Sequence, residues 1–268
     1  KLIKSALDKR AFGSKEATDP GVRLNQEALK AEADILAMVH DFGKHPNVME
    51  TVKEPLKDAE GHTHVILEKA GDILGWEFIQ SREVTRTVAT RLVAQVMNGL
   101  KFLHDHGCVH RDLKWENVMI DRSNGHQARI IDFGTLSVEY GNIHSPALKS
   151  LNALNQAEVS SAAERGYGVI TTPAIYRGSG TGKSFKDKMN EGIFSAEFDY
   201  ISLFHMVQEV GARFDMSRIA NTPLGQAVKI ANEGWATTNP IEVKTKYHEL
   251  AVLLGVEEAP SAQPQNHL

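Results

Sequence analysis

Between Glu83 and His106 the chain repeats apolar residues at helical spacing for longer than anywhere else along its length. Val88, Leu92, Val93, Val96, Leu100 and Leu103 line one face, and Gly107 stands where a helix commonly ends on a left-handed glycine. A helix of this kind must lay its stripe on a core. Two short strand candidates follow it, Val118 to Ile120 and Ala128 to Ile131, with the turn signal Asn124-Gly125 between them. The polar residues around this pair therefore sit on loops beside short strands, where a rigid scaffold usually carries its catalytic groups.

Those loops carry a dense chemical pattern. His110-Arg111-Asp112-Leu113-Lys114-Trp115-Glu116-Asn117 puts a carboxylate, a cation and an amide close together, and Asp132-Phe133-Gly134 follows the second strand. A carboxylate such as Asp112 can accept the proton of an attacking hydroxyl. Lys114 can neutralise charge on a transferred phosphoryl group. Asn117 and Asp132 offer hard oxygen ligands to magnesium. The combination points to phosphoryl transfer from a metal-bound nucleotide.

Composition excludes other classes. The 268 residues suffice for one large domain or two small lobes, and the apolar share of 41% can fill a core. A formal charge of −4 gives no reason to expect nucleic-acid or membrane binding. With a single cysteine, Cys108, no internal disulfide can form, which fits a reducing compartment. No apolar run approaches the length of a membrane span. The chain begins at Lys1 with neither a Met nor a signal-peptide pattern, so a fragment or a processed form is expected. Nothing in the sequence sets an oligomeric state.

Elsewhere, Lys1 to Lys4 reads as a short strand, residues 13–25 as a loop, and Gln26 to His40 as a helix ended by His45-Pro46-Asn47. Val48 to Val52 and His64 to Glu68 are expected as strands joined by a polar hairpin around Gly61. Residues 135–171 are long, polar and rich in Ser, Asn and Ala, as a lid over a site would be. Phe194 to Val210 is apolar and helical, and Glu257 to Leu268 has the composition of a disordered tail. Gly180-Thr181-Gly182-Lys183-Ser184 ends like a phosphate-binding P-loop, but Arg177 stands where its first glycine belongs and no apolar strand precedes it, so it reads as a flexible loop.

Taken together, these motifs resemble the eukaryotic-type Ser/Thr protein kinases, from about Lys1 to Val210. His110 through Asn117 matches the catalytic-loop pattern H-R-D-L-K-x-x-N, and Asp132-Phe133-Gly134 matches D-F-G. Phe102-Leu103-His104 is similar to the end of the helix before that loop. Glu32-Ala33-Asp34-Ile35-Leu36 with His45-Pro46-Asn47-Val48 is similar to helix αC and its exit. Val65-Ile66-Leu67-Glu68 resembles the strand entering the hinge, with Leu67 at the gatekeeper place. Phe198-Asp199-Tyr200-Ile201-Ser202-Leu203 resembles the D-x-W-S-L segment of helix αF.

The resemblance implies an α+β, bilobal fold: a partial N-lobe over residues 1–70, a mainly helical C-lobe over 71–256, and a tail over 257–268. It implies ATP with Mg2+, or Mn2+ in its place, as cofactors, and a protein with a Ser or Thr hydroxyl as substrate. Asp112 is then the catalytic base, and Lys114 touches the γ-phosphate. Asn117 and Asp132 hold the metal. Glu32 pairs with the strand lysine that grips the α and β phosphates, and Glu68 lies at the nucleotide hinge. Lys1 is preferred for that lysine over Lys4, because Ser5-Ala6 continues a strand poorly. Lys114, two places after Asp112, is the Ser/Thr-kinase pattern. Arg111 suggests control by a phosphorylated loop, with Ser137, Ser145, Ser150, Ser160, Ser161, Thr171 and Thr172 as candidate sites.

The chain also departs from the family. No glycine-rich loop precedes Lys1, which leaves truncation, a preceding disordered segment or a minimal member open. Tyr176-Arg177 holds the register of A-P-E, but Gly178-Ser179-Gly180 follows. Trp115 replaces the usual Pro, and the short stretch after Val210 suggests that some C-lobe helices are missing. Reduced kinases of this sort occur among bacterial effectors delivered into a host cytoplasm, so a cytoplasmic location is expected. Two rivals remain. One is a pseudokinase scaffold, which usually loses one of the residues equivalent to Asp112, Asn117 or Asp132. The other is a small-molecule kinase, which rarely keeps Arg111 and Lys114 together with D-F-G. Plainer readings of single residues also stand. His110 alone reads as a buried core histidine, Asp72 as a turn former or a ribose ligand, and Cys108 as a small buried hydrophobe.

Overall fold

The computed structural model describes residues 2–5, 34–50, 56–57, 63–138, 196–237 and 239–258. Its first strand, β1 (Leu2–Ser5), pairs antiparallel with β3 (Thr63–Leu67), and β2 (Leu56–Lys57) pairs with the other edge of β3. Ser5 lies opposite His64 and Lys4 opposite Val65, so the strand runs through the residue expected to end it. The ground for preferring Lys1 over Lys4 is thereby lost. Lys1 itself, like Glu32, lies outside the described residues.

Residues 34–41 are the described part of a helix, α1, which buries Ile35, Leu36 and Val39. The strand expected from Val48 is a correction. Among residues 48–50 only Val48 pairs, in a lone parallel bridge to Ile130. The cause is Asn47, which is buried. Its side-chain Nδ2 donates to the Ala128 carbonyl at 2.8 Å and its own carbonyl accepts from Ile130 N at 2.9 Å. This ties the segment to the strand that carries Ala128 and Ile130.

Beyond β3 come β4 (Ile73–Leu74), α2 (Gly75–Ile79) and the long helix α3 (Arg86–Asp105). Helix α3 starts later than the periodicity suggests, because Thr85 caps it: its hydroxyl accepts from Val88 N at 3.3 Å. It ends as expected, with Gly107 at φ 72°. Strand β5 (Cys108–Val109) then leads, past the catalytic-type loop, to β6 (Val118–Asp121) and β7 (Gln127–Ile130), and β8 (Ser137–Val138) returns to pair with β5. Strands β4, β6 and β7 form a second sheet in that order. The turn between β6 and β7 is longer than a two-residue hairpin. Asp121 captures Asn124 N at 3.2 Å to make a single 3-10 turn, and Gly125 and His126 follow at φ 63° and 60°.

Helix α4 (Glu197–Gly211) is the axis of the helical half. It is buried nearly all round, through Phe198, Tyr200, Ile201, Leu203, Phe204, Met206, Val207 and Val210. Against it pack α3, α6 (Pro223–Ala236) and α7 (Pro240–Leu253), with the short α5 (Met216–Ile219) between α4 and α6. Two glycines set the approach of α4 to α6. A Cβ on Gly211 would lie 2.3 Å from Val228, and one on Gly234 would lie 2.4 Å from the Phe204 ring. The short stretch after α4 carries three helices. Asp215, Thr222-Pro223 and Asn239-Pro240 are cap signals, and each starts a helix. Glu257, at the start of the expected tail, sits 2.6 Å from His248 Nδ1. The architecture is α+β, with a small antiparallel sheet above a mostly helical body. Among the described residues, no helix is long and apolar enough to cross a membrane.

Candidate active site

The segment from Cys108 to Val138 is closed at its base, where β5 pairs with β8, Cys108 opposite Val138 and Val109 opposite Ser137. The two chemical motifs hang from this closure and are stitched to each other. Ile131 N donates to the Asn117 carbonyl at 2.9 Å, and Thr135 Oγ1 donates to the His110 carbonyl at 2.9 Å. Arg111 Nε donates to the Thr135 carbonyl. His110 meets Phe133 edge-on, with ring centroids 5.7 Å apart. Residues that the sequence separates are thus one structural unit.

His110 is fully buried, and both ring nitrogens are engaged. Nε2 lies 3.2 Å from the Ile131 carbonyl, which can only accept, and Nδ1 accepts from Asp112 N at 3.3 Å. This fixes a neutral ring protonated on Nε2. The bland reading of His110 and its chemical one coincide, since the side chain is a core residue that holds the backbone of Asp112.

The carboxylate of Asp112 gathers the polar groups. Oδ2 accepts from Lys114 Nζ at 2.8 Å and from Asn117 Nδ2 at 2.9 Å. The side chains of Lys114 and Asp112 are 28% and 14% exposed, so both can be reached from solvent. Asn117 Nδ2 also donates to the Asp112 carbonyl at 2.7 Å. With its nitrogen committed inward, the Asn117 amide has its carbonyl oxygen to offer as a ligand. Asp132 is exposed, and its Oδ1 accepts a long 3.4 Å bond from Gly134 N. One amide oxygen and one carboxylate suit magnesium, which is usually held by one or two carboxylates together with substrate phosphates. Among the described residues, no group of three or more His, Cys, Asp or Glu residues could hold a metal ion.

Two backbone outliers fall at these motifs. Arg111 has φ 69° and Asp132 φ 62°, left-handed values that cost non-glycine residues about 1–2 kcal/mol each. The surroundings hold them there. Arg111 is buried, and its N–H, like that of His110, is received by Asp199 of α4. Arg111 N lies 2.8 Å from Asp199 Oδ1, and His110 N lies 2.8 Å from Oδ2. His104, in the last turn of α3, adds a third contact, Nε2 to Oδ2 at 2.8 Å. Burial disfavours a charge on Asp199. The hydrogen bond from His104, its charge and the His110 backbone N–H outweigh it and hold the carboxyl below its ordinary value.

Asp199, His104 and Thr135 therefore hold the loop that carries Asp112, a contact that sequence reasoning did not assign. One signal was available: an Asp inside an otherwise apolar helix needs a buried partner. Trp115, the replacement for Pro, is fully buried and donates from Nε1 to the Met206 carbonyl of α4 at 3.0 Å.

The other expected positions divide. Glu68 is exposed on the link from β3 to β4, where its N–H donates to the Glu50 carbonyl at 3.1 Å. Asp72 is held by Arg122, through N at 2.9 Å and Nε at 2.7 Å. Those bonds lower its carboxyl below the usual range and favour the structural reading. Ser137 lies in β8. Ser145, Ser150, Ser160, Ser161, Thr171, Thr172, Arg177 and Gly178 to Ser184 lie outside the described residues, as do Lys1 and Glu32.

Fold and site together define a phosphotransferase-like core, with a small sheet over a helical body and a carboxylate–lysine–asparagine loop tied to an aspartate-bearing turn. The family model of the protein kinase domain matches residues 2–151. The chain belongs to the protein kinase domain family. It is 34% identical over 146 residues to a calcium and calcium/calmodulin-dependent serine/threonine-protein kinase of Lilium longiflorum, covering 49% of this chain and 27% of that one. It is 30% identical over 120 residues to a probable myosin light chain kinase of Dictyostelium discoideum, covering 44% and 36%. To a cell division control protein 2 homolog of Trypanosoma brucei brucei it is 27% identical over 217 residues, covering 78% and 60%. The chain thus spans less than two thirds of the length of each of these relatives.

Proposed function

We propose that this chain transfers the γ-phosphoryl group of ATP to a serine or threonine hydroxyl of a protein. The observation that carries the reading is the Asp112 carboxylate, bracketed at 2.8 and 2.9 Å by Lys114 and Asn117 on a loop tied to the segment of Asp132. Asp112 orients the substrate hydroxyl and takes its proton. Lys114 moves from Asp112 to the phosphoryl oxygens as negative charge develops there. Asn117 and Asp132 would hold magnesium, or manganese in its place, which would supply positive charge against the phosphates. Glu32, with Lys1 or Lys4, positions the α and β phosphates, and Glu68 lies beside the adenine end. Positioning and charge neutralisation supply most of the acceleration.

Serine/threonine specificity is supported by Lys114 at the second place after Asp112 and by the printed name of the Lilium relative. The net charge of −4 speaks against nucleic acid as the partner, and a reducing cytoplasm suits the single buried thiol. The test is incubation with labelled ATP, magnesium and a generic Ser/Thr protein substrate, beside Asp112→Ala and Asp132→Ala. Wild type labels serine or threonine, and both variants lose the signal by about a hundredfold or more. Equal labelling by Asp112→Ala removes the base role. Labelling of tyrosine alone overturns the specificity.

A further inference from the structure

The dipeptide Asn-Gly occurs twice in the chain, as Asn98-Gly99 and as Asn124-Gly125. Its covalent chemistry is particular. Glycine has no Cβ, so nothing shields its backbone nitrogen from the asparagine amide before it. That nitrogen can close a five-membered ring on the amide carbon. Both copies share this chemistry, and only their surroundings separate them.

Asn98-Gly99 lies inside α3, where backbone N–H groups are spent on carbonyls one turn back. Gly99 is buried, and a Cβ on it would lie 2.6 Å from the Asn47 carbonyl oxygen. A ring closed there would break the helix against its own packing. Asn124-Gly125 lies in the turn between β6 and β7. Both residues are exposed, and the 3-10 turn that ends at Asn124 buries no residue. A Cβ on Gly125 would meet no atom within 4 Å, so a ring has room. The bonds that hold the turn are at the surface. Asp121 Oδ1 accepts from Asn124 N at 3.2 Å, and Asn124 Nδ2 donates to Gln127 Oε1. Exposed bonds of this kind open at little cost.

We propose that Asn124 is a site of spontaneous succinimide formation, through which the β6–β7 turn is converted to aspartate and isoaspartate. Hydroxide takes the Gly125 N–H proton, and the nitrogen attacks Asn124 Cγ. The new C–N bond forms, the Cγ–Nδ2 bond breaks, and the amide nitrogen leaves as ammonia with a proton from water. Water then adds to either imide carbonyl. Opening at Cγ gives aspartate, and opening at the α-carbonyl gives isoaspartate. No oxidant or reductant enters. Isoaspartate carries the main chain through Cβ and Cγ, which lengthens the turn by one atom beside the closing pair Asp121–Gln127. Either product sets a carboxylate where Nδ2 met Gln127 Oε1, acceptor against acceptor. The hairpin so altered joins Asn117 to Asp132, the two expected metal ligands.

The test holds the full chain in mildly alkaline buffer without nucleotide, beside a sample unfolded in urea, and follows both by ion exchange and peptide mass spectrometry. Because no phosphoryl transfer is read, its failure leaves the kinase reading standing. The native chain is expected to accumulate a species with one more negative charge than the formal −4, and the mass gain of NH replaced by O falls on the peptide of Asn124 alone. That peptide is also expected to accept a methyl group from a protein isoaspartate methyltransferase. In urea, Asn98 and Asn124 convert together. Gly125→Ala, at an exposed position, loses the native acidic species. Equal native conversion at Asn98 and Asn124 overturns the proposal. So does an Asn124 that stays intact in the native chain while the unfolded chain converts, or conversion of Gly125→Ala as fast as wild type.

Discussion

Replacing Asp199 by Asn tests how the loop that carries Asp112 is held. The carboxylate is fully buried and receives three donors at 2.8 Å: Arg111 N on Oδ1, and His110 N with His104 Nε2 on Oδ2. An amide keeps the shape but has one oxygen. In its better orientation that oxygen serves His110 N and His104, and the amide NH2 faces Arg111 N, donor against donor. One stranded buried donor costs about 1–3 kcal/mol, and the two remaining bonds lose their charge assistance, so the expected loss is about 2–4 kcal/mol. The stranded donor belongs to Arg111, whose left-handed backbone already stores strain. The loop that carries Asp112 is then released. Urea denaturation reads the first effect as a lower midpoint at unchanged slope. Turnover reads the second, with a fall of about a hundredfold expected from a displacement on the order of 1 Å. The pH dependence follows from the sign of the shift. Asp199 is held below its ordinary value of 3.8, so its contribution is fully present above that value and is lost as pH falls through the lower, folded one. The stability gap between wild type and variant therefore persists from neutrality down to about pH 4 and closes only below it. An unchanged denaturation midpoint with unchanged turnover would refute the tether.

Trp115→Phe keeps the buried ring but loses the 3.0 Å bond to the Met206 carbonyl, so urea denaturation should show a loss of about 1 kcal/mol, with turnover reduced because Lys114 and Asn117 flank the site. Gly234→Ala places a methyl 2.4 Å from the Phe204 ring and should cost about 1–3 kcal/mol by thermal melting, whereas Gly43→Ala, which meets no atom within 4 Å, should show only the strain of its φ of 100°. Cys108 is fully buried, and burial pushes its thiol up to about 12, so iodoacetamide at about pH 8 should label the unfolded chain and not the native one, as read by mass spectrometry.

The catalytic segment was legible in the sequence because its chemistry is local. Asp112, Lys114 and Asn117 act on one another across a single turn, so residue types at fixed offsets already describe their contacts. The long helix was equally legible, since its stripe is a local period, and its start slipped only because the Thr85 cap outranks the apolar pattern. What was not legible depends on distant partners. Val48 looks like a strand residue by composition, yet the Asn47 amide and carbonyl reach Ala128 and Ile130 and leave it a lone bridge to Ile130. Asp199 looked like one letter of a motif until three donors from two other segments converged on it.

Those distant contacts also explain how a loop with two left-handed non-glycine residues keeps one geometry. Arg111 and Asp132 each sit in conformations that an isolated loop would abandon. Arg111 is fixed on its backbone side by Asp199 and on its side-chain side by the Thr135 carbonyl. Asp132 is bounded by Ile131, bonded to Asn117, and by Phe133, buried against His110. The ring of His110 closes the circuit, since its neutral tautomer links the Ile131 carbonyl to the Asp112 N–H. Each outlier is thus held from two sides by residues of the other motif or of α4. The geometry at Asp112 is set by the helical core, and the loop sequence supplies only the groups that the core positions.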